Sequence, residues 1–377
     1  MKRPLVTIFG TLAITFLLAE GCLRLVGFRN PPAEAPMLVW NPSEDELMAS
    51  GKYLYQFDPW SLWSPRPGAV IQFGERERIS GPPDLVNEDG FRGPRIPRER
   101  TAGVVRIATL GDSSVFGLAV RSEETWSALL PGILAEKGVR AEVINAGVEG
   151  FTIAQGLERY RHDVRPYRPD VVIAAFGAIN EHFPDTITDE QKIQQRAQQN
   201  QFVKRAKTWA RENLRVVQAI QHLVSPGASE AFLAAAEQRR REIEFMSPHQ
   251  NDPAWPFGRR VSAEDFERLF QTLADEVERD GGRLIVLLPP RREAAESGMP
   301  YLLRYTRVAA TFAGLRGLQV LNVYARFRRA HRDGEPEPPL FIHDDWHPSS
   351  FGHRTIAAWL APLVLDPNQF RGGDSQF

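Results

Sequence analysis

From residue 104 to residue 365, short apolar runs alternate with segments of helical periodicity. That alternation restricts the chain to folds in which a parallel sheet is covered by helices on both faces. Residues 104–110 form a β-rich run that stops at Gly111. Residues 124–137 have helical spacing and end near Gly138; residues 141–146 read as a strand, 152–162 as a helix and 170–176 as a strand. Ser262-Ala263-Glu264-Asp265 opens a further helix, with a hydroxyl and an acid placed to satisfy the free N–H groups of a first turn, and Gly281-Gly282 stops it. Residues 284–288 are wholly apolar and end at Pro289-Pro290, 318–323 read as another strand, and 352–365 as a closing helix. The expected fold class is α/β, a three-layer α/β/α sandwich on a parallel sheet.

Three stretches depart from this rhythm. Met1-Lys2-Arg3 is basic and residues 5–19 are almost wholly apolar, the pattern of a secretory or anchoring segment. Ala19-Glu20-Gly21 permits cleavage before Cys22, Cys22 permits lipidation, and an uncleaved anchor is the third reading. The apolar run is shorter than the roughly 20 residues of a full span, which would leave Glu20 near the outer interface. A helix buried in the body is the alternative. The first three readings put the rest of the chain outside the cytoplasm, at the inner membrane or in the periplasm. Residues 28–100 are rich in Pro, Gly and aromatics, with Trp40, Tyr53, Tyr55, Phe57, Trp60 and Trp63 close together. They read as loops and short strands whose aromatics pack on the main domain; a glycan platform is the sharper alternative. Residues 186–260 are Gln- and Arg-rich helical sequence followed by a Pro-rich loop at 247–257. They follow a strand end, where ligands of α/β sheets sit, so they are either a lid and specificity element or a solvated hairpin. The expected division is a signal or anchor at 1–27, an accessory region at 28–100, and a main domain at 101–377 with the helical insertion at 186–260.

Composition narrows the function. The chain is 42% hydrophobic and 25% charged, enough apolar sequence for a sizeable core. A formal net charge of −1 without a stripe of Lys or Arg excludes nucleic acid as an expected partner. One Cys excludes an internal disulfide framework and a Cys-based zinc site.

Three short motifs, in order, carry chemistry. Gly111-Asp112-Ser113-Ser114 places a serine in a strand-to-helix turn, where backbone N–H groups face the same spot. Val115 occupies the second glycine position of a Gly-x-Ser-x-Gly elbow, and no Gly-Lys-Ser/Thr follows, so neither that elbow nor a phosphate loop is present. Asn180-Glu181 supplies an amide donor for an oxyanion. Asp344-Asp345-Trp346-His347-Pro348 spaces a carboxylate three residues from an imidazole, so that Asp344 can hold one ring nitrogen while the other faces Ser113. The set is complete for acyl transfer through a serine ester. The same residues allow a rival, because His343 and His347 are four apart, as in a zinc-binding helix. Pro348 disfavours a helix at His347.

These motifs resemble those of the SGNH, or GDSL-type, hydrolases over about residues 104–365. Gly111-Asp112-Ser113 resembles the first block and carries the nucleophile. Asn145-Ala146-Gly147-Val148-Glu149-Gly150 resembles the second, which implies that Gly150 donates its N–H to the oxyanion. Asn180 resembles the third-block asparagine, a side-chain oxyanion donor, and Asp344-x-x-His347, followed by Pro348-Ser349 and Gly352-His353, resembles the fifth. Asn87-Glu88-Asp89-Gly90-Phe91-Arg92-Gly93 resembles a segment ahead of the hydrolase domain in membrane-anchored bacterial members. The chain departs from the family pattern at Ser114, usually apolar, at Ala178, usually Gly, and at Glu181, usually Asp.

The resemblance implies a serine esterase with Ser113, His347 and Asp344 as triad and Ser113, Gly150 and Asn180 as oxyanion hole, with no cofactor and no metal. The expected substrates are acyl esters on envelope glycans, O-acetyl above all, with lipid and lysophospholipid esters open. An O-acyltransferase with the same triad, a non-catalytic glycan-binding protein and a metallohydrolase are the alternatives.

Overall fold

The computed structural model describes residues 2–28, 54–71, 84–185, 187–198, 206, 209, 210, 213–224, 258–297, 299, 301–332 and 334–366. Its centre is a sheet of five strands, numbered in chain order: β1 (Val105–Gly111), β2 (Ala141–Asn145), β3 (Val171–Ala175), β4 (Arg283–Leu288) and β5 (Gln319–Asn322). They lie in the order β5-β4-β3-β1-β2, and every neighbouring pair is parallel. The five strands read from sequence are thus the five that form, within one residue at each end.

Side chains alternate between the faces, and both faces are covered. Ala108, Leu110, Val172, Ala174, Val286 and Leu288 pack under the helices Ile153–Arg159, Ala263–Arg279 and Leu302–Leu315. Ile107, Val143, Ile173, Ala175, Ile285 and Leu287 pack under Trp126–Glu136 and Ser350–Leu365. Burial on two faces is why these strands read as continuous apolar runs instead of alternating ones. The expected helix at 152–162 is an α-helix over Ile153–Arg159 that widens into a π-helical turn, Tyr160–Val164.

The strand order fixes where chemistry can sit. β2 lies on one side of β1, and β3, β4 and β5 run away on the other, so the order reverses at β1. The crevice beyond the carboxyl ends of β1 and β3 is the topological switch point, the usual ligand site of an open α/β sheet.

The described residues 54–71 and 84–93 form a small antiparallel addition. Tyr55–Asp58 pairs with Leu62–Pro65, and Val70–Ile71 with Asp84–Leu85. Tyr55, Trp63 and Phe91 are buried in the same core as the first sheet face, as the core-packing reading expects. Trp60 is half-buried and stacks on His162 with centroids 4.2 Å apart. Trp40 and Tyr53 lie outside the described residues, as does the proline-rich loop at 247–257.

The N-terminal segment is a helix, Lys2–Leu25. Among the described residues no helix is long and apolar enough to cross a membrane. Glu20 has a specific job in it. Its Oε2 accepts the Val216 N–H at 2.9 Å, at the start of the helix Arg215–Val224, and its Oε1 accepts Arg24 Nε at 2.8 Å. Phe9, Leu12, Ile14, Leu17 and Leu18 are exposed along the same helix.

Candidate active site

β1 delivers Ser113. The strand ends at Gly111, where a Cβ would sit 2.5 Å from the Ala175 carbonyl of β3 and 2.3 Å from Val115 Cγ2, so only glycine lets the turn close against its neighbour. Asp112 then caps the short helix Ser113–Phe116, accepting the Ser114 N–H at 2.9 Å. The Ser114 hydroxyl turns to the same carboxylate at 2.7 Å. Ser113 is left as the serine that faces the crevice.

The loop before the closing helix delivers His347. His347 Nε2 lies 2.8 Å from Ser113 Oγ, and His347 Nδ1 lies 2.6 Å from Asp344 Oδ2. With Asp344 ionised, Nδ1 carries the proton and Nε2 is the acceptor for the serine hydroxyl. The N–H groups of Trp346 and His347 both donate to Asp344 Oδ1 at 2.9 Å, which fixes the carboxylate plane. The loop is closed by Ile342 N–H donating to the His347 carbonyl and by a bridge between Phe341 and Pro348. His343 and His347 therefore do not lie on a helix. The zinc-helix alternative is corrected on that ground: the His-x-x-x-His spacing places both imidazoles on one face only where the segment is helical. His353 is fully buried, accepts the Trp126 N–H at 3.2 Å, and is held neutral by burial, its pKa lowered to about 3.

The electrostatics are asymmetric. Burial alone would lower the His347 pKa, but the hydrogen bond and charge of Asp344, with Asp112 and Glu149 behind, raise it above its ordinary value. Burial would raise Asp344, yet the contacts with His347 and the two backbone N–H groups bring it below the usual carboxylate range.

Asn180 follows β3 and Gly150 follows β2. Asn180 is buried and donates one Nδ2 hydrogen to Asp112 Oδ2 at 3.0 Å, which leaves its second hydrogen for the crevice. Gly150 has φ +72, a left-handed conformation that favours glycine. The five residues predicted as triad and oxyanion hole, Ser113, Asp344, His347, Gly150 and Asn180, line one cleft of ≈ 280 Å³. Asp112, Ser114, Leu118, Glu149, Ala178, Ile179 and Trp346 complete its wall.

Glu181, the family departure, is a scaffold. It is buried, and its two oxygens accept the N–H groups of Ile153 at 3.0 Å and Gly177 at 3.2 Å. Burial, with the Asp112 charge, pushes its pKa up to about 8, so near neutrality it is largely protonated. The longer acid reaches from the end of β3 back to the start of the helix Ile153–Arg159, which follows β2.

Sequence reasoning missed Glu149, which lines the cleft and whose carboxyl is pushed above its ordinary range by burial, against His347, Tyr55 and Arg92. It gave no role at the site to Arg92 or Trp63 and missed Arg260; all three hold the loops that carry Ser113 and Gly150. Arg92 donates to the Phe116 and Gly117 carbonyls at the end of the Ser113 helix, and Arg260 to the Gly150 carbonyl at 2.9 Å. A buried arginine has no local signature in sequence, because its partners are distant in the chain.

Residues 109–245 match the model of the GDSL-like Lipase/Acylhydrolase family. An arylesterase of Vibrio mimicus is 36% identical over 73 residues, 19% of this chain and 36% of that protein, so the chain spans about a third of the length of the curated relative it matches. A lipase/acylhydrolase from Enterococcus faecalis aligns with a TM-score of 0.43 at 17% identity, over 69% of this chain and 95% of the other. An acetyl xylan esterase variant from Geobacillus stearothermophilus aligns with a TM-score of 0.43 at 17% identity, over 71% of this chain and 95% of the other. Residues 109–245, which include Ser113, Gly150 and Asn180, are the part of the chain that resembles the GDSL-like Lipase/Acylhydrolase family.

Proposed function

We propose that the chain is a serine carboxylic ester hydrolase acting on short acyl esters of glycans outside the cytoplasm. The observation that carries the reading is the unbroken relay Asp344–His347–Ser113, with contacts of 2.6 and 2.8 Å, opening on a cleft that also receives Asn180 and Gly150. His347 Nε2 takes the proton of Ser113 Oγ as the oxygen attacks the ester carbonyl. The tetrahedral oxyanion is met by the backbone N–H groups of Ser113 and Gly150 and by the free Nδ2 hydrogen of Asn180. His347 then returns the proton to the departing alcohol, leaving an acyl-Ser113 that water, activated by the same imidazole, hydrolyses. Asp344 holds the ring and stabilises the imidazolium.

A cleft of ≈ 280 Å³ is at the small end of ligand sites and suits an acetyl-sized acyl group with the adjoining part of its alcohol. The basic start and the exposed apolar residues of Lys2–Leu25 support attachment at the outer side of the cytoplasmic membrane. The test uses the full chain with aryl esters of rising acyl length and with acetylated glycans. Turnover should be highest for acetyl, and Ser113→Ala should remove it while Ser114→Ala keeps most. Turnover that survives Ser113→Ala overturns the reading. A C-terminal reporter that works only outside the cytoplasm should be active, and one active only inside would overturn the placement.

A further inference from the structure

We propose that Trp63, on the strand Leu62–Pro65 of the antiparallel addition, is the positioning residue that sets the oxyanion hole: its indole N–H holds the peptide unit from which the Gly150 N–H projects. The inference rests on the ester-hydrolysis reading and assigns a residue remote from every motif.

The geometry starts at one carbonyl. Trp63 Nε1 donates to the Glu149 carbonyl oxygen at 3.2 Å, across 86 positions of sequence. That carbonyl and the Gly150 N–H belong to the same peptide group. Among the described residues the only cis peptide is Glu337-Pro338, so the 149–150 unit is trans and its C=O and N–H point in opposite directions. Holding the oxygen on one side therefore fixes the heading of the N–H on the other. Gly150 lines the cleft with Ser113, and among the described residues its amide has no protein acceptor.

A hold is needed because of the residue involved. Glycine has the widest backbone freedom, and Gly150 sits at φ +72. A donor that must stay preorganised toward an oxyanion is poorly served by a free hinge. Both peptide planes around that hinge are pinned from outside: the preceding one by Trp63, the following one by Arg260, which donates to the Gly150 carbonyl at 2.9 Å. The two pins support each other, since the Arg260 guanidinium lies over the Trp63 ring at 5.7 Å.

Trp63 is itself held. It is 8% exposed and packs edge-on against Phe151, with centroids 5.6 Å apart. Its carbonyl accepts the Ser61 hydroxyl at 2.9 Å, and the Ser61 carbonyl accepts Gln155 Nε2 at 2.8 Å. The Tyr55–Asp58 and Leu62–Pro65 hairpin is thereby fixed to the loop that follows β2. Simple packing would require the ring alone; an N–H aimed at the carbonyl beside the oxyanion donor is the additional feature.

The decisive variant separates ring from N–H. Trp63→Phe keeps an aromatic ring and removes the donor; a benzothienyl-alanine placed at position 63 alone keeps the full shape and removes only the N–H. On aryl acetate, kcat should fall about five- to tenfold in both, a fraction of the roughly 10²–10³ that losing an oxyanion donor outright costs, with KM changed less than about twofold. Affinity for a boronic acid that forms a tetrahedral adduct on Ser113 should fall in parallel with kcat. Unchanged kcat and boronate affinity in the benzothienyl chain would overturn the proposal, as would a loss confined to KM. If the unaltered chain hydrolyses no ester and takes no boronate, the hydrolase reading itself fails and the proposal goes with it. A chain that is active and indifferent to the indole N–H defeats the Trp63 assignment alone.

Discussion

Residues 54–71 and 84–93 meet the loops of the candidate site through backbone groups. Trp63 holds the Glu149 carbonyl, the Arg92 N–H holds the Asn145 carbonyl, and the Arg92 guanidinium holds those of Phe116 and Gly117. In return Arg159 donates to the Gly90 carbonyl at 2.7 Å. The insertion after β3 is tied differently. Its ends pair as a short ladder, Pro184–Asp185 with Gly258–Arg259, and next to that neck Asp189, fully buried, receives Arg260 and Lys192. Beyond the neck, the described helix Arg215–Val224 leans on the N-terminal helix through Glu20 rather than on the site. One region is thus fastened to the site along its described length and the other is closed at its base. Composition marked both as departures from the α/β rhythm and gave no hint that their couplings to the chemistry were so unlike.

That contrast is most easily broken at Arg92. Its side chain is 1% exposed, pairs with the buried Asp84 at 2.9 Å, and caps the carbonyl end of the Ser113 helix. Arg92→Ala leaves a buried carboxylate and several carbonyls without their donor. The expected cost is about 3–5 kcal/mol, read as a lowered urea midpoint. A loss under about 1 kcal/mol would mean that the segment is only laid against the domain.

Asn180→Ala comes next and leaves both regions in place. One oxyanion donor is expected to account for about 10²–10³ in kcat, with little change in KM. An effect confined to KM would recast Asn180 as a ground-state contact. The comparison with Trp63→Phe then ranks a donor against the residue that aims one.

Replacing residues 199–257 by a short linker tests the other side. Asp189, Lys192 and Arg260 are kept, so the neck stays closed. Turnover of a minimal aryl acetate should stay within about threefold of the parent, while kcat/KM for an acetylated polymer falls further, because binding energy remote from the ester is lost. Equal losses on both substrates would show that the insertion supports the site itself.

What was legible follows from where the partners sit. The five strands were readable because burial on two faces makes each one a continuous apolar run between turn residues. The grouping of Ser113, His347 and Asp344 was readable because Asp344 and His347 are three apart and Ser113 opens the turn that follows a strand. The helix Leu302–Leu315 was not: Tyr301 gives it no side-chain cap, and its buried face is built largely from small and polar-bearing residues such as Ala309, Ala310, Ala313 and Thr306. Trp63 and Arg260 were not, because each acts on a carbonyl 86 or 110 positions away, and a carbonyl is present at every residue. Glu149 was quoted inside a motif and passed over, since only the fold turns its side chain into the cleft.

Glu149 supports the smallest of these expectations and a discriminating one. His347 must be neutral at Nε2 to accept the serine proton, so kcat/KM should rise with pH through the His347 pKa. Burial lowers that pKa, and the negative charges facing the ring, Asp344 first, then Asp112 and Glu149, more than offset it. The acid limb should accordingly lie above the ordinary histidine value of 6.5. Glu149→Gln removes one negative charge and keeps the shape, so the imidazolium loses stabilisation and the limb moves to lower pH, by less than about one unit for a charge that is not the direct partner. Its peptide group is untouched, so Trp63 should still aim the Gly150 N–H, and kcat on the alkaline plateau should hold. A fall in plateau kcat with the limb unmoved would reverse the division of labour, making the Glu149 side chain part of the oxyanion arrangement rather than a neighbour that tunes the base. A limb displaced with the plateau intact would leave the side chain to the imidazole and the backbone to the oxyanion.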